Sequence, residues 1–135
     1  MEAADLMSIP LFARLSATDR ARVAETARQQ HFDVGHVVVN EGEFPFDFYA
    51  ISRGAAEVRR AGNRVASLGP GDFFGEAGVL PDGARRSWQR RSASVVITEP
   101  TDVVAIGGTD LRCLAEAIPT LRDALRATAA QRSTD

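Results

Sequence analysis

Two short runs of residues in the middle of the chain have the residue types to bind an anionic ligand. In the first, Phe74-Gly75-Glu76-Ala77-Gly78, glycine lets a ligand approach the backbone, and a helical turn after Glu76 would point free N–H groups outward. The second, Arg91-Ser92-Ala93-Ser94, offers a fixed cation and a hydroxyl before a β-branched strand. A carboxylate for sugar hydroxyls, a helix N-terminus and an arginine describe a pocket for a ribose phosphate. Neither run suggests a nucleophile, a general base or a redox group.

Length and composition limit the class of protein that this sequence can encode. The 135 residues, 44% hydrophobic and 25% charged, suit one folded domain with a real core. A net charge of −2 and a pI near 5.7 argue against nucleic acid as the main partner. We therefore predict no direct nucleic-acid binding by this chain.

The sequence also indicates a compartment. No apolar run approaches the length of a membrane span, and the N-terminus has no basic segment leading into an apolar one. The single cysteine, Cys113, excludes an internal disulfide, and we predict that it packs in a buried helix face. All sixteen basic residues are arginine, which indicates a GC-rich, bacterial genome. We expect a cytoplasmic protein, or the cytoplasmic domain of a larger protein that a membrane could anchor.

Helical patterns flank the middle of the chain. Residues 1–10 predict a short helical segment, and Ser16 is the expected cap of a helix over 17–29. Near the C-terminus, Thr109 or Asp110 would cap a helix from Leu111 to Ile118, and Pro119 would interrupt it. Beyond the proline, one apolar face continues through Leu121, Leu125 and Thr128.

Between these helices, short apolar runs alternate with turn residues. The regular spacing of the runs favours a sandwich or barrel of the jelly-roll kind, and Ala61-Gly62-Asn63 is the expected tip of a hairpin. The predicted strands are 30–32, 37–40, 47–52, 55–60, 64–68, 92–98 and 102–106.

The pattern Phe74-Gly75-Glu76 followed by Arg91-Ser92-Ala93-Ser94-Val95 resembles the phosphate-binding cassette of the cyclic nucleotide-binding domain family. The core form of that cassette reads F-G-E, a short helix and R-[AST]-A, and the resemblance extends over about residues 11–125. It implies a mainly β fold, an eight-stranded jelly roll with N-terminal helices and C-terminal lid helices. The single domain would comprise an N-terminal helical segment (1–29), a β-roll (30–107) with the cassette at 74–95, and C-terminal helices (108–130).

The resemblance also implies a ligand and its contacts. The ligand would be cAMP, with cGMP as the alternative, and no metal or other cofactor is implied. Glu76 matches the glutamate that family members use for the ribose 2′-hydroxyl, and Arg91 matches the arginine for the equatorial phosphate oxygens. Leu125 and Thr128 would cap the base. The predicted ligand-binding residues are Phe74, Gly75, Glu76, Ala77, Gly78, Arg91, Ser92 and Ala93.

The function that the resemblance implies is that of a sensor without catalytic residues. Ligand binding would draw the cassette helix inward, and the C-terminal helices would then swing over the base. The partner would be an effector domain or a second copy in a homodimer. DNA-binding relatives carry a helix-turn-helix after the sandwich, and this sequence shows none. We therefore expect a stand-alone sensor or a piece of a channel, transporter or enzyme.

The sequence departs from the family pattern inside the cassette, where segment 81–90 lengthens the usual connection by about five or six residues. Arg85 or Arg86 lies nearer the usual distance from Glu76, but only Arg91 leads into Ser-Ala-Ser-Val. This departure leaves open which arginine reads the phosphate. It also leaves open an alternative function, a ligand-free interaction module on the same fold.

Two further features of the sequence have ordinary structural interpretations. Trp88 among Arg85, Arg86, Arg90 and Arg91 has the composition of a nucleic-acid contact or a cover for a base, but a solvated hairpin extension fits an acidic chain better. His31 and His36 alone do not supply the ligand cluster that a metal-dependent enzyme on a jelly roll needs. We predict no metal site.

Overall fold

The computed structural model describes residues 2–39, 47–74 and 94–134. The elements in chain order are a 3-10 helix (Ala3–Ser8), α1 (Pro10–Ala13), α2 (Ala17–Thr26), β1 (Arg28–Phe32), β2 (Val37–Val39), β3 (Asp47–Arg60), β4 (Asn63–Leu68), β5 (Phe73–Phe74), β6 (Ser94–Gly107), α3 (Gly108–Ala117) and α4 (Pro119–Thr134). This arrangement confirms the predicted mainly β fold with flanking helices. The described ranges hold six strands, so the predicted count of eight is not confirmed.

Two long strands organise the sheet. β3 and β6 have 14 residues each and pair antiparallel along most of their length. The first half of β6 also pairs with β2 and its second half with β1, while β3 pairs with β5 near its start and with β4 near its end. Each long strand therefore pairs with different strands along its two halves, and the sheet must bend at a corner between these halves.

The corner is a bulge in both long strands, and here the predicted strand breaks were wrong. The register between β3 and β6 shifts three times between Ile51 and Ala56, but the hydrogen-bonded ladder continues. Gly54 has φ +104°, and a Cβ there would lie 2.4 Å from the Pro100 carbonyl oxygen. Thr101 then accepts a hydrogen bond from the Ala55 N–H at 3.1 Å, which joins the strands across the bulge. The sequence predicted four separate strands here, with breaks at Gly54 and Pro100. In the structure these residues bend two continuous strands, β3 and β6.

The hairpin between β3 and β4 is confirmed. Arg60 pairs with Asn63, so the tip consists of Ala61 and Gly62. Both have positive φ, 53° and 83°, as a two-residue hairpin turn that matches the strand twist requires.

The helix boundaries differ from the expectation at two places. Ser16 caps α2 as predicted, accepting from the Asp19 N–H at 3.2 Å, but the helix ends at Thr26 because Arg28 already pairs with Ala105 in the sheet. α3 begins at Gly108, before the predicted caps, and its N-cap residue makes no side-chain capping bond. Pro119 does break the C-terminal helix and begins α4.

Two buried clusters lie on opposite faces of the sheet. The helix-side cluster joins the helices to one face and the roll cluster fills the interior of the roll, because alternate residues of a strand point to opposite faces. The helix-side cluster includes Leu6, Ile9, Phe12, Phe48, Phe73, Val104, Ile106, Leu111, Leu114, Leu121 and Leu125. The roll cluster includes Ile51, Ala56, Leu68, Phe74, Val95, Ile97 and Val103, with Phe32, Val38, Tyr49 and Val58 packed against it.

The cysteine prediction was wrong. Cys113 is exposed, because α3 turns Leu111, Leu114 and Ala115 toward the helix-side cluster and residue 113 falls on the opposite face. In the part of the chain that the structure describes, no helix is long and apolar enough to cross a membrane.

Candidate functional site

Most of the predicted ligand contacts fall on residues outside the described ranges. Of the eight, only Phe74 is described. Those outside are Gly75, Glu76, Ala77, Gly78, Arg91, Ser92 and Ala93, together with segment 81–90 and its rival arginines. What the structure does place is the protein framework at both ends of this stretch.

The segment leading into the cassette is fastened to β3 by a network of backbone hydrogen bonds. The Asp72 carboxylate accepts from the Gly69 N–H at 2.8 Å, which closes a turn. Two residues of that turn bond to Ile51 of β3: Ile51 N–H donates to the Asp72 carbonyl at 2.8 Å, and Gly71 N–H donates to the Ile51 carbonyl at 2.9 Å. β5 is therefore delivered in a fixed register, with Phe73 opposite Ala50 and Phe74 opposite Tyr49.

The two phenylalanines anchor the start of the cassette in both clusters at once. Phe73 packs in the helix-side cluster, where its ring lies 5.5 Å from that of Phe48. Phe74 points the other way into the roll cluster and is only 4% exposed. Two adjacent phenylalanines favour burial, and because successive residues of a strand point to opposite faces, each ring packs in a different cluster.

Phe74 begins a row of aromatic rings inside the roll. Its ring is stacked on Tyr49 at a centroid distance of 5.2 Å, and Tyr49 meets Phe32 edge-on at 6.1 Å. Phe32 is in turn stacked on His36 at 4.9 Å. The first residue of the cassette thus packs on Tyr49 of β3, which in turn packs on Phe32 of β1.

β6, the strand that follows the cassette motifs, also starts at the roll cluster. Val95 is 4% exposed and belongs to the roll cluster, as does Phe74. It lies opposite Val58 of β3, and Ser94 lies opposite Arg59. The described residues Phe74 and Val95, on either side of the stretch 75–93, therefore lie in one buried cluster, although 20 residues separate them in sequence.

Of the two residues predicted to cap the base, the structure describes the side chain of Leu125 but not that of Thr128. Leu125 is fully buried in the helix-side cluster, so in this arrangement it packs with the helices and not with the roll cluster around Phe74. Thr128 lies in the part of α4 whose side chains are not described. The capping roles remain predictions.

The histidines form contacts of other kinds. His31 Nδ1 lies 2.7 Å from Asp102 Oδ1, and its Nε2 lies 3.3 Å from Asp33 Oδ1. The hydrogen bond to Asp102 is the main cause of a raised pKa at His31; desolvation opposes it, and the charge of Asp102 and the contact with Asp33 add to the rise. Within residues 2–39, 47–74 and 94–134, no cluster of three or more His, Cys, Asp or Glu side chains could hold a metal ion.

One polar arrangement could not be predicted from the sequence because it depends on strand register. Asp47 Oδ2 accepts from the Tyr49 hydroxyl at 3.3 Å and from Arg28 Nη2 at 3.1 Å. The only signal for it in the sequence is the i, i+2 spacing of Asp47 and Tyr49, which places both side chains on one face of a strand.

Comparisons with known proteins agree with this framework. The family model described as "Cyclic nucleotide-binding domain" matches residues 29–117. The cAMP-dependent protein kinase regulatory subunit of Eremothecium gossypii is 35% identical over 103 residues, which make up 76% of this chain and 21% of that protein. The chain therefore spans about a fifth of the length of this relative.

Two solved structures share the fold. The regulatory domain of Toxoplasma gondii PKA, in a co-crystal with cAMP, has a TM-score of 0.78 at 23% identity, covering 96% of this chain and 48% of that chain. The regulatory subunit of a cAMP-independent protein kinase A from Trypanosoma brucei also has a TM-score of 0.78, at 22% identity, covering 93% and 44%. At such identities the likeness concerns the fold alone.

Proposed function

This chain belongs to the cyclic nucleotide-binding domain family, and from that premise we propose that it reversibly binds a cyclic nucleotide, with cAMP preferred over cGMP. One observation carries the proposal. The family match spans the F-G-E and R-S-A motifs, and the described residues that flank them, Phe74 and Val95, lie in one buried cluster. Cyclic AMP as the ligand is supported by the related regulatory subunits.

In the proposed complex, each of the two motifs contacts a different part of the ligand. Glu76 accepts from the ribose hydroxyl, and the N–H groups at Ala77 and Gly78 meet the cyclic phosphate. Arg91 holds the equatorial phosphate oxygens, because a guanidinium fork matches two oxygens better than a point charge does. Ser92 carries a hydroxyl that could serve guanine, but serine reaches less far than threonine, so adenine is favoured.

Transmission through the C-terminal helices is the second part of the proposal. Leu125 can cap a base only if α4 leaves the helix-side cluster, where this side chain is now fully buried. Removing a leucine from such a cluster costs about 1.5–3 kcal/mol. The ligand must therefore prefer the rearranged helix by more than that amount to shift the population. The output would pass to an effector domain or a second copy, in the cytoplasm.

Isothermal titration with cAMP and with cGMP tests this function. We expect saturable binding of both, tighter for cAMP, and Arg91→Ala should weaken cAMP binding at least tenfold, because a hydrogen bond to a charged group contributes about 1.5–3 kcal/mol. Arg85→Ala and Arg86→Ala are matched controls within the same stretch, and each should retain the parent affinity. A loss confined to one of these two would assign the phosphate to that arginine instead.

A ligand-free interaction module is the second candidate. It is favoured by the lengthened segment 81–90 and by the shared fold with a regulatory subunit of a cAMP-independent kinase. No heat of binding from either nucleotide at millimolar concentration would support it over the first.

A further inference from the structure

The start of the cassette and the start of α3 meet at one pair of polar residues. Phe74 stacks on Tyr49, whose hydroxyl donates to Asp47 Oδ2. Asp47 lies directly opposite Gly107, the residue before α3. A short path of contacts thus leads from the first cassette residue to the point where β6 becomes a helix.

Strand register explains why this path exists. Arg28, Ala105, Tyr49 and Phe74 are aligned across β1, β6, β3 and β5 as successive cross-strand partners. Ala105 is small and fully buried, so the Arg28 side chain can extend toward Asp47. Asp47 therefore receives hydrogen bonds from two different strands.

The position of Asp47 gives it an influence on α3. A Cβ on Gly107 would lie 4.0 Å from Asp47 Oδ1 and 3.6 Å from Asp110 Oδ2, so two carboxylates flank the residue before the helix. Gly107 provides no side-chain cap, and negative charge beside the first turn of a helix stabilises that turn. Asp47 is thus placed to stabilise the beginning of α3 from a neighbouring strand.

The bond between Tyr49 and Asp47 is suited to respond to the cassette. At 3.3 Å it is long for a bond between a hydroxyl and a carboxylate, so a small displacement of the Tyr49 ring decides whether it forms. The Tyr49 ring stacks on Phe74, the first residue of the cassette. Movement of Phe74 would therefore change the contacts of Asp47 without any direct contact between ligand and helix.

We infer that Tyr49 and Asp47 are positioning residues that couple the cassette to the first turn of α3. The ligand-dependent part of this inference rests on the proposed function, while the coupling of Tyr49 to α3 does not. Tyr49→Phe keeps the ring and removes only the hydroxyl, and Asp47→Asn keeps the shape and removes the charge. Ser52→Ala is the matched control, since it removes a 3.0 Å hydrogen bond from the same strand to the Asp102 carbonyl, off this path.

The first measurement uses the protein without ligand. Hydrogen exchange of peptides covering residues 108–112 should be at least about threefold faster in Tyr49→Phe and Asp47→Asn than in the parent, because the first turn of α3 opens more often. The Ser52→Ala control should exchange at the parent rate. Equal rates in all four proteins would overturn the inference whatever the protein binds.

The second measurement adds cAMP. Cys113 is exposed on α3 and is the only cysteine in the sequence, so a fluorescent probe attached there reports on this helix. At saturating cAMP the emission change should fall to about half or less in Tyr49→Phe, while the dissociation constant stays within about threefold of the parent. A full emission change in Tyr49→Phe would overturn the ligand-dependent coupling. If the parent itself binds neither cAMP nor cGMP, the proposed function fails and hydrogen exchange alone decides the coupling.

Discussion

At the scale of single residues, Thr101 shows how one hydroxyl holds the corner of the roll. Among the described residues it is the one polar side chain that is fully buried, and its hydroxyl contacts Ala55 N at 3.1 Å and Glu99 O at 2.7 Å. Thr101→Val should lower the free energy of unfolding by about 1 kcal/mol, because it removes the hydrogen bond that the half-buried Ala55 N–H makes across the bulge. Urea denaturation measures this loss. Thr101→Ser keeps the hydroxyl and should lose less, and an equal loss would assign the effect to the methyl group.

His31 is a second residue whose partners predict a measurable effect. The hydrogen bond to Asp102 raises the pKa of His31 above its ordinary 6.5, and protonated His31 is therefore favoured in the folded state. The stability that this pair contributes is fully present below the unfolded pKa and is lost as pH rises through the higher folded pKa. NMR titration should give a midpoint above 6.5 for His31, and Asp102→Asn should lower it. An unchanged midpoint in Asp102→Asn would contradict the assignment to Asp102. The pair is exposed, so its effect on stability should be small.

At the scale of elements, the backbone of the β3–β4 hairpin tip is strained at one residue, and a substitution can relieve that strain. Ala61 has φ 53°, a conformation that costs an ordinary side chain roughly 1–2 kcal/mol and that asparagine adopts more readily. Ala61→Asn should therefore raise the free energy of unfolding by about 0.5–1 kcal/mol. Thermal and urea unfolding measure the gain. Ala61→Ser is the control, because serine lacks this backbone preference, and an equal gain from serine would point to solvation instead.

The elements also show where sequence patterns sufficed and where they did not. The cap at Ser16, the hairpin at Ala61-Gly62 and the apolar face through Leu121 and Leu125 follow from local residue preferences, and the structure has all three. The strand breaks at Gly54 and Pro100 were wrong, because cross-strand hydrogen bonds to Thr101 continue the ladder through residues that usually end one. The end of α2 was misplaced for a similar reason, since pairing of Arg28 with β6 overrides helix propensity.

The candidate site shows the same division. The aromatic anchor at Phe73 and Phe74 was predictable, because two adjacent phenylalanines between glycines favour burial. The contact between Tyr49 and Asp47 and its position beside Gly107 were not, because they depend on the register of strands from distant parts of the chain. The roles of Glu76 and Arg91 remain predictions from the motif.

At the scale of the whole molecule, the sheet separates the cluster that holds α4 from the cluster that underlies the cassette. Phe12 of α1 is fully buried in the helix-side cluster with Leu125, and α1 packs against α4. If Leu125 must leave this cluster to cap the base, every contact that holds it there opposes ligand binding. The apparent affinity then equals the intrinsic affinity reduced by the fraction of molecules in the binding-competent arrangement.

Phe12→Leu should therefore weaken the fold and strengthen binding together. The smaller side chain should destabilise the docked helix by about 1 kcal/mol, which would raise the competent fraction and the apparent cAMP affinity by up to about fivefold. Gly62→Ala is a control of similar stability cost, about 1 kcal/mol, because its φ of +83° is strained for alanine while the added Cβ meets nothing within 4 Å. Isothermal titration of both variants should show tighter cAMP binding only for Phe12→Leu. Equal affinities in both variants and the parent would mean that the docked α4 does not compete with the ligand, and that Leu125 remains a core residue in the bound protein.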